Sequence, residues 1–185
     1  IYNDSISKIK DVGLRNFVGY CLGIPCERYP ASKNQKIIYN NFIESPASLN
    51  HHDNYSGGFV SHISGMLYTV DSLESIYTGG LRPEINSTVD WDLLRAIVYL
   101  HDIGKPLTYK KTNTNEYIWK DSCIENHALI GSQHVYSCWR DTKLIEEVVL
   151  QKLCYCIAEH MNNKFDNTVP ELTLLKSIDR DRKSV

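Results

Sequence analysis

A histidine and an aspartate stand side by side at the end of an apolar helical run, LRAIVYLHDIGK (residues 94–105). A helix turns by about 100° per residue, so His101 falls on the stripe of Leu94, Ile97 and Val98, and Asp102 continues from Val98. A core helix ordinarily keeps aliphatic side chains on that stripe. Burying an imidazole and a carboxylate there is costly unless something compensates their polarity, and a divalent cation does so. For an isolated pair the plain alternative is a hydrogen-bonded core histidine beside a capping carboxylate.

The rest of the chain predicts the helices such a pair would need. Ile6, Ile9, Val12, Phe17 and Cys21 recur at helical spacing over residues 4–21, and Gly23 and Pro25 end that helix. IIYNNFIES reads as either helix or strand up to Pro46. Phe59, Ile63, Met66, Val70 and Leu73 share one stripe between Ser56 and Tyr77, with Gly79, Gly80 and Pro83 as the break. Asp90 caps a helix running to about Ile103, closed by Gly104, Lys105 and Pro106. LTYKK and EYIWK flank a polar Thr-Asn-Thr-Asn turn and predict a hairpin. Further helices follow over residues 125–139, 142–159 and 170–180. The expected fold is an all-α bundle with one small β-hairpin inserted after the His-Asp helix.

At 185 residues one domain is the default, and a net charge of −2 gives no global pull towards polyanions. No apolar run approaches the roughly 20 residues that span a bilayer. The six cysteines form no CxxC pair, which fits free thiols in a reduced, cytoplasmic setting without a membrane.

Of the seven histidines, several sit where a polar side chain needs a reason. His62 lies among Phe59, Ile63 and Met66. His127 opens a helix, His134 follows seven residues later on nearly the same face, and His160 directly follows the apolar KLCYCIAE run. Asp179 continues the stripe of Leu172 and Leu175. Five or six polar intrusions into one bundle interior point to a metal centre.

The order His62, His101-Asp102, Asp179 resembles the HD-domain superfamily of metal-dependent phosphohydrolases, in which these four positions on separate helices hold a divalent metal. The lysine of HDIGK belongs to the same signature, and His127 and His160 fall where two-metal members carry extra ligands. The run FIESPASLNHHDNYSGGFVSHISGML, followed by the HD helix and a hairpin, is similar to the YhaM-like 3′→5′ exoribonuclease subgroup. The resemblance covers about residues 42–181, which makes residues 1–185 one HD domain with a helical extension over 1–41.

What it implies is a set of metal ligands, His62, His101, Asp102, His127, His160 and Asp179, with Asp102 the natural bridge between two ions. A histidine-rich, thiolate-free set favours Mn, Fe, Co, Ni or Zn over Mg or Ca. Asp102 and Lys105 are the expected catalytic pair, Lys105 also as a contact to a substrate phosphate. His51, His52, His134 and Arg180 are further substrate-binding candidates, although two turns of helix place His134 about 10 Å from His127. The expected reaction is hydrolysis of phosphodiester bonds at a single-stranded nucleic-acid end by metal-activated water. The runner-up is a small-nucleotide phosphohydrolase such as a nucleotidase or nucleoside triphosphate hydrolase. Further alternatives are a di-iron oxygenase of the same fold and a non-enzymatic, metal-stabilised module.

Overall fold

The computed structural model describes residues 6–25, 29, 33–50, 53–81, 88–120, 126–162 and 168–183, with backbone only at 80, 81 and 181–183. In chain order the helices are α1 (Val12–Cys21), α2 (Lys33–Glu44), α3 (Gly58–Ile76), α4 (Trp91–Leu100), α5 (Gly104–Thr108), α6 (His127–Thr142), α7 (Glu147–Glu159) and α8 (Pro170–Lys183). Strands β1 (Tyr109–Lys111) and β2 (Tyr117–Trp119) form an antiparallel hairpin between α5 and α6, pairing Tyr109 with Trp119 and Lys111 with Tyr117. The all-α bundle with one inserted hairpin is therefore the observed architecture.

Helix α4 is the axis of the bundle. Asp90 caps it by accepting from the Leu93 N–H at 2.9 Å, and eight consecutive residues from Leu93 to Leu100 are buried. A helix buried on nearly every side belongs inside a core, and α1, α3, α7 and α8 pack around this one. The Asp90 N–H donates to the buried carboxylate of Glu171 at 2.8 Å, which ties the start of α4 to the first turn of α8. One continuous core results, in which Phe17, Ile63, Met66, Leu94, Ile97, Leu153 and Leu175 are fully enclosed.

Among the boundaries that differ from expectation, three have a clear local reason. Helix α1 starts at Val12, because the Asp11 side chain caps it through the Leu14 N–H at 2.7 Å and the Asp11 N–H donates to Asp92 at 2.8 Å. Helix α3 does not stop at Gly79 but widens into a π-turn over Tyr77–Leu81. Helix α4 ends at Leu100, and Gly104, Lys105 and Pro106 open the short α5 instead of closing α4. Proline is tolerated in a first helical turn, where its missing N–H has no partner to lose. The ambiguous IIYNNFIES run is helical as part of α2. Among the described residues no helix is long and apolar enough to cross a membrane. Cys21, Cys138, Cys154 and Cys156 are free thiols, while Cys26 and Cys123 lie outside the described residues.

Candidate metal centre

Six side chains from five helices meet at one end of α4. His62 projects from α3, His101 and Asp102 from the turn after α4, His127 from the first position of α6, His160 from just beyond α7, and Asp179 from α8. They form two groups. His62, His101 and Asp179 offer ligand atoms that all lie within 4.8 Å of one another, and so do Asp102, His127 and His160. His62 Nε2 is 3.3 Å and His101 Nε2 3.9 Å from Asp179 Oδ1. Asp102 Oδ1 faces His127 Nε2 at 3.0 Å and His160 Nε2 at 3.3 Å. Its other oxygen, Oδ2, lies 3.4 Å from His101 Nε2 and 2.6 Å from Lys105 Nζ. Asp102 thus reaches both groups at once.

Backbone carbonyls decide which ring nitrogens are available. His101 Nδ1 lies 2.9 Å from the Val98 carbonyl and His160 Nδ1 2.7 Å from that of Ile157. A carbonyl only accepts, so both Nδ1 atoms carry the proton and both Nε2 atoms present a lone pair to the centre. The helix builds this contact itself, since each carbonyl belongs to the residue three positions earlier.

The close approach of α6 has its own cause. A Cβ on Gly104 would stand 1.9 Å from the His127 carbonyl oxygen and 2.9 Å from the Gly131 nitrogen. Only a residue without a side chain lets the turn after Asp102 press against the first turn of α6, and that contact carries His127 to Asp102.

His101 Nε2, Asp102 Oδ1, His127 Nε2 and His160 Nε2 are all shielded from solvent, and none makes a well-aligned hydrogen bond among the described residues. Buried polar atoms in that condition are rare, because each forfeits its hydration without compensation. Three imidazole nitrogens converging with a carboxylate oxygen suit a cation. Burial alone would raise the Asp102 carboxyl, but the Lys105 ammonium and the His101 and His127 rings outweigh it and hold it well below the usual carboxylate range. Asp102 is ionised, the state that metal ligation requires of a carboxyl.

The remaining candidates are placed as follows. His134 turns away from the centre; its Nε2 donates to the Cys21 carbonyl at 2.8 Å and lies 3.6 Å from Cys138 Sγ. Seven residues along α6 keep the face but carry the ring towards the end of α1. Arg180 lies on the exposed side of α8. His51 and His52 lie outside the described residues. On the hairpin, Lys111 pairs with Glu44 at 3.7 Å and the Lys120 ammonium donates to the Leu107 carbonyl. Gly104 was visible in the sequence only as a helix stop, because the closeness it permits is between distant segments.

The HD domain family model matches residues 60–182. The chain belongs to the HD domain family. Within this HD domain lie all six side chains of the centre. The curated relatives include the 3′-5′ exoribonuclease YhaM of Listeria welshimeri, 24% identical over 74% of this chain and 41% of that protein. The YhaM of Shouchella clausii is 38% identical over 59% of this chain and 31% of its own length. The dihydroneopterin 2′,3′-cyclic phosphate phosphodiesterase of Methanocaldococcus jannaschii is 29% identical over 70% of this chain and 49% of its length. The HD chain thus spans less than half the length of the relatives it matches. No solved structure gives a significant match.

Proposed function

We propose that this HD domain is a metal-dependent phosphohydrolase cleaving phosphodiester bonds, with the 3′ end of single-stranded nucleic acid as its first substrate class. The observation that carries the reading is Asp102, whose two oxygens address the two His/Asp groups separately. His62, His101 and Asp179 would hold one cation and His127 and His160 another, with Asp102 shared between them. A carboxylate can bridge because it has two oxygens, whereas an imidazole offers one lone pair. The thiolate-free donor set favours Mn, Fe, Co, Ni or Zn. Such ions supply Lewis acidity and lower the pKa of a bound water.

The chain's own residues supply the rest. The Val98 and Ile157 carbonyls hold the His101 and His160 rings in the ligating tautomer. Lys105 keeps Asp102 ionised and places an ammonium at the rim of the centre, where a phosphoryl oxygen would arrive. The names of two groups of relatives support the reaction class, since an exoribonuclease and a cyclic phosphate phosphodiesterase both open phosphodiester bonds. The second of these relatives, matched over 70% of this chain, also supports a small cyclic phosphate or nucleotide as the alternative substrate.

The test is mass spectrometry of products after Mn-loaded protein meets single-stranded RNA and DNA oligomers, nucleotides and 2′,3′-cyclic phosphates, with Asp102→Ala beside it. Stepwise shortening from the 3′ end, absent in the variant, is the expected result. Cleavage confined to mononucleotides or cyclic phosphates moves the assignment to the alternative, and an untouched pool overturns it. Metal content in the same preparations should fall at both groups in Asp102→Ala and at one in Asp179→Asn.

A further inference from the structure

The two oxygens of Asp102 are not equivalent. Oδ1 faces His127 and His160 at 3.0 and 3.3 Å, is shielded from solvent and makes no well-aligned hydrogen bond among the described residues. Oδ2 lies on the side of His101, 3.4 Å from its Nε2, and already accepts from the Lys105 ammonium at 2.6 Å. One group of ligands therefore meets a bare oxygen. The other meets an oxygen that carries a positive charge of the protein's own.

Lys105 is fixed at its backbone and free along its stem. Its N–H donates to the Asp102 carbonyl and its carbonyl accepts from the Thr108 hydroxyl, both at 2.9 Å. Among the described residues its ammonium pairs with Asp102 alone. The side chain also stands on the open side of the centre. His62, His101, Asp102 and His160 are at most 1% exposed at their side chains, against 9% for Lys105 and 12% for His127. A compact charge on a flexible four-carbon stem can leave in that direction by rotating its own bonds.

Resting on the two-cation reading above, we propose that Lys105 is a tethered competitor for the cation of the His62, His101 and Asp179 group. That cation reaches Asp102 only through Oδ2, and two positive charges on one buried oxygen repel with little screening. Binding there has to displace the ammonium, so the affinity of this group is lower than its ligands alone would give. The group of His127 and His160 uses Oδ1 and is spared the direct exchange. The displaced ammonium stays tethered at the rim, and an anionic phosphoryl group that takes it up keeps it off Asp102. By linkage, phosphate and that cation then strengthen each other's binding through one lysine.

Titration of metal-free protein with Mn at pH 7.5, followed by the electron paramagnetic resonance of the free ion, gives the affinity of each group. Asp179→Asn identifies which affinity belongs to the His62, His101 and Asp179 group. Lys105→Met should tighten that affinity by at least about tenfold, the scale of one like charge removed from a few ångströms away, and change the other by less than about threefold. Weaker or unchanged binding at that group overturns the proposal. Equal tightening of both groups does so too, because a diffuse charge effect gives that result. Wild-type protein supplies an arm that does not depend on how the variant folds. Brief acetylation, read by peptide mass spectrometry, should label Lys105 severalfold faster after Mn loading, relative to the exposed Lys10. A Lys105 equally slow with and without Mn never leaves Asp102, which overturns the proposal. Turnover of phosphodiesters is scored separately: this pattern of Mn binding without any turnover sinks the hydrolase reading and leaves the proposal standing.

Discussion

The Lys105 ammonium lies 2.6 Å from Asp102 Oδ2, the oxygen opposite the one that faces His127 and His160. Both side chains are nearly enclosed, with Asp102 fully buried. One residue of α5 therefore holds the charge state of the carboxylate on which both halves of the centre depend.

Lys105→Met leaves that carboxylate buried without its ammonium partner. Removing one partner of a buried ion pair costs about 3 kcal/mol or more, because the other charge loses its compensation. Urea unfolding of the metal-free variant should show that loss. Saturating Mn should recover part of it, since bound cations restore positive charge next to Asp102. A variant as stable as wild type in both conditions would mean that the pair contributes nothing to the folded state.

Gly104→Ala should be disruptive out of proportion to one methyl group. The new Cβ would lie 1.9 Å from the His127 carbonyl oxygen, so the first turn of α6 must back away and take His127 from Asp102. Forcing a carbon into a packed interior costs about 1–3 kcal/mol. Metal analysis should also show depletion of the group built from Asp102, His127 and His160. Gly79→Ala is the control: nothing lies within 4 Å of its added Cβ, and its stability should stay within about 0.5 kcal/mol of wild type.

The other end of α4 carries a charge network that responds to acid. Arg95 is buried and pairs with Asp71 at 2.9 Å and with Glu74, while Lys8 also pairs with Asp71. Burial raises the Asp71 carboxyl, but Lys8 and Arg95 outweigh it and hold it below the ordinary value of 3.8. A carboxyl depressed in the folded state stabilises fully above its unfolded pKa and loses that contribution as pH falls through the folded one. Stability should therefore drop below about pH 4, and the part of that drop owed to Asp71 should shrink in Arg95→Met, where Lys8 alone still pairs with the carboxylate. The same substitution should cost about 2–3 kcal/mol at neutral pH, less than for a fully buried pair because Asp71 can rehydrate. Chemical unfolding of both proteins at neutral and acid pH measures each quantity.

Where α1 meets α6, the Cys21 thiol donates to Cys138, and together with His134 this outweighs burial and lowers the Cys138 thiol to about 6. Cys21 and Cys154 are instead pushed up, chiefly by burial. The ultraviolet absorbance of thiolate should rise with a midpoint near 6 in the folded protein, and Cys138→Ser should abolish that step. Cys21→Ala removes the donor and should move the midpoint upward. A midpoint unmoved by that change would show that His134 alone sets it.

His62, His101, Asp102 and Asp179 were legible in the chain because each is a polar group on an apolar stripe, and a buried polar group demands a partner; His127 and His160 were added by the resemblance to the HD family. His62 among Phe59, Ile63 and Met66, and Asp179 beyond Leu172 and Leu175, announce themselves in this way. Helical periodicity likewise located α3, α4, α6, α7 and α8, and the polar turn between LTYKK and EYIWK located the hairpin. Periodicity is a property of neighbours along the chain, so a sequence carries it whole. What it did not carry is distance between segments far apart. His134 shares a face with His127 yet serves the junction with Cys21, because the helix leaves the centre within two turns. The division of the six side chains into two groups joined by Asp102 and the backbone contact that only Gly104 permits both depend on how the helices pack. Local sequence determined which side chains needed a partner; only the tertiary structure decided which partner each one met.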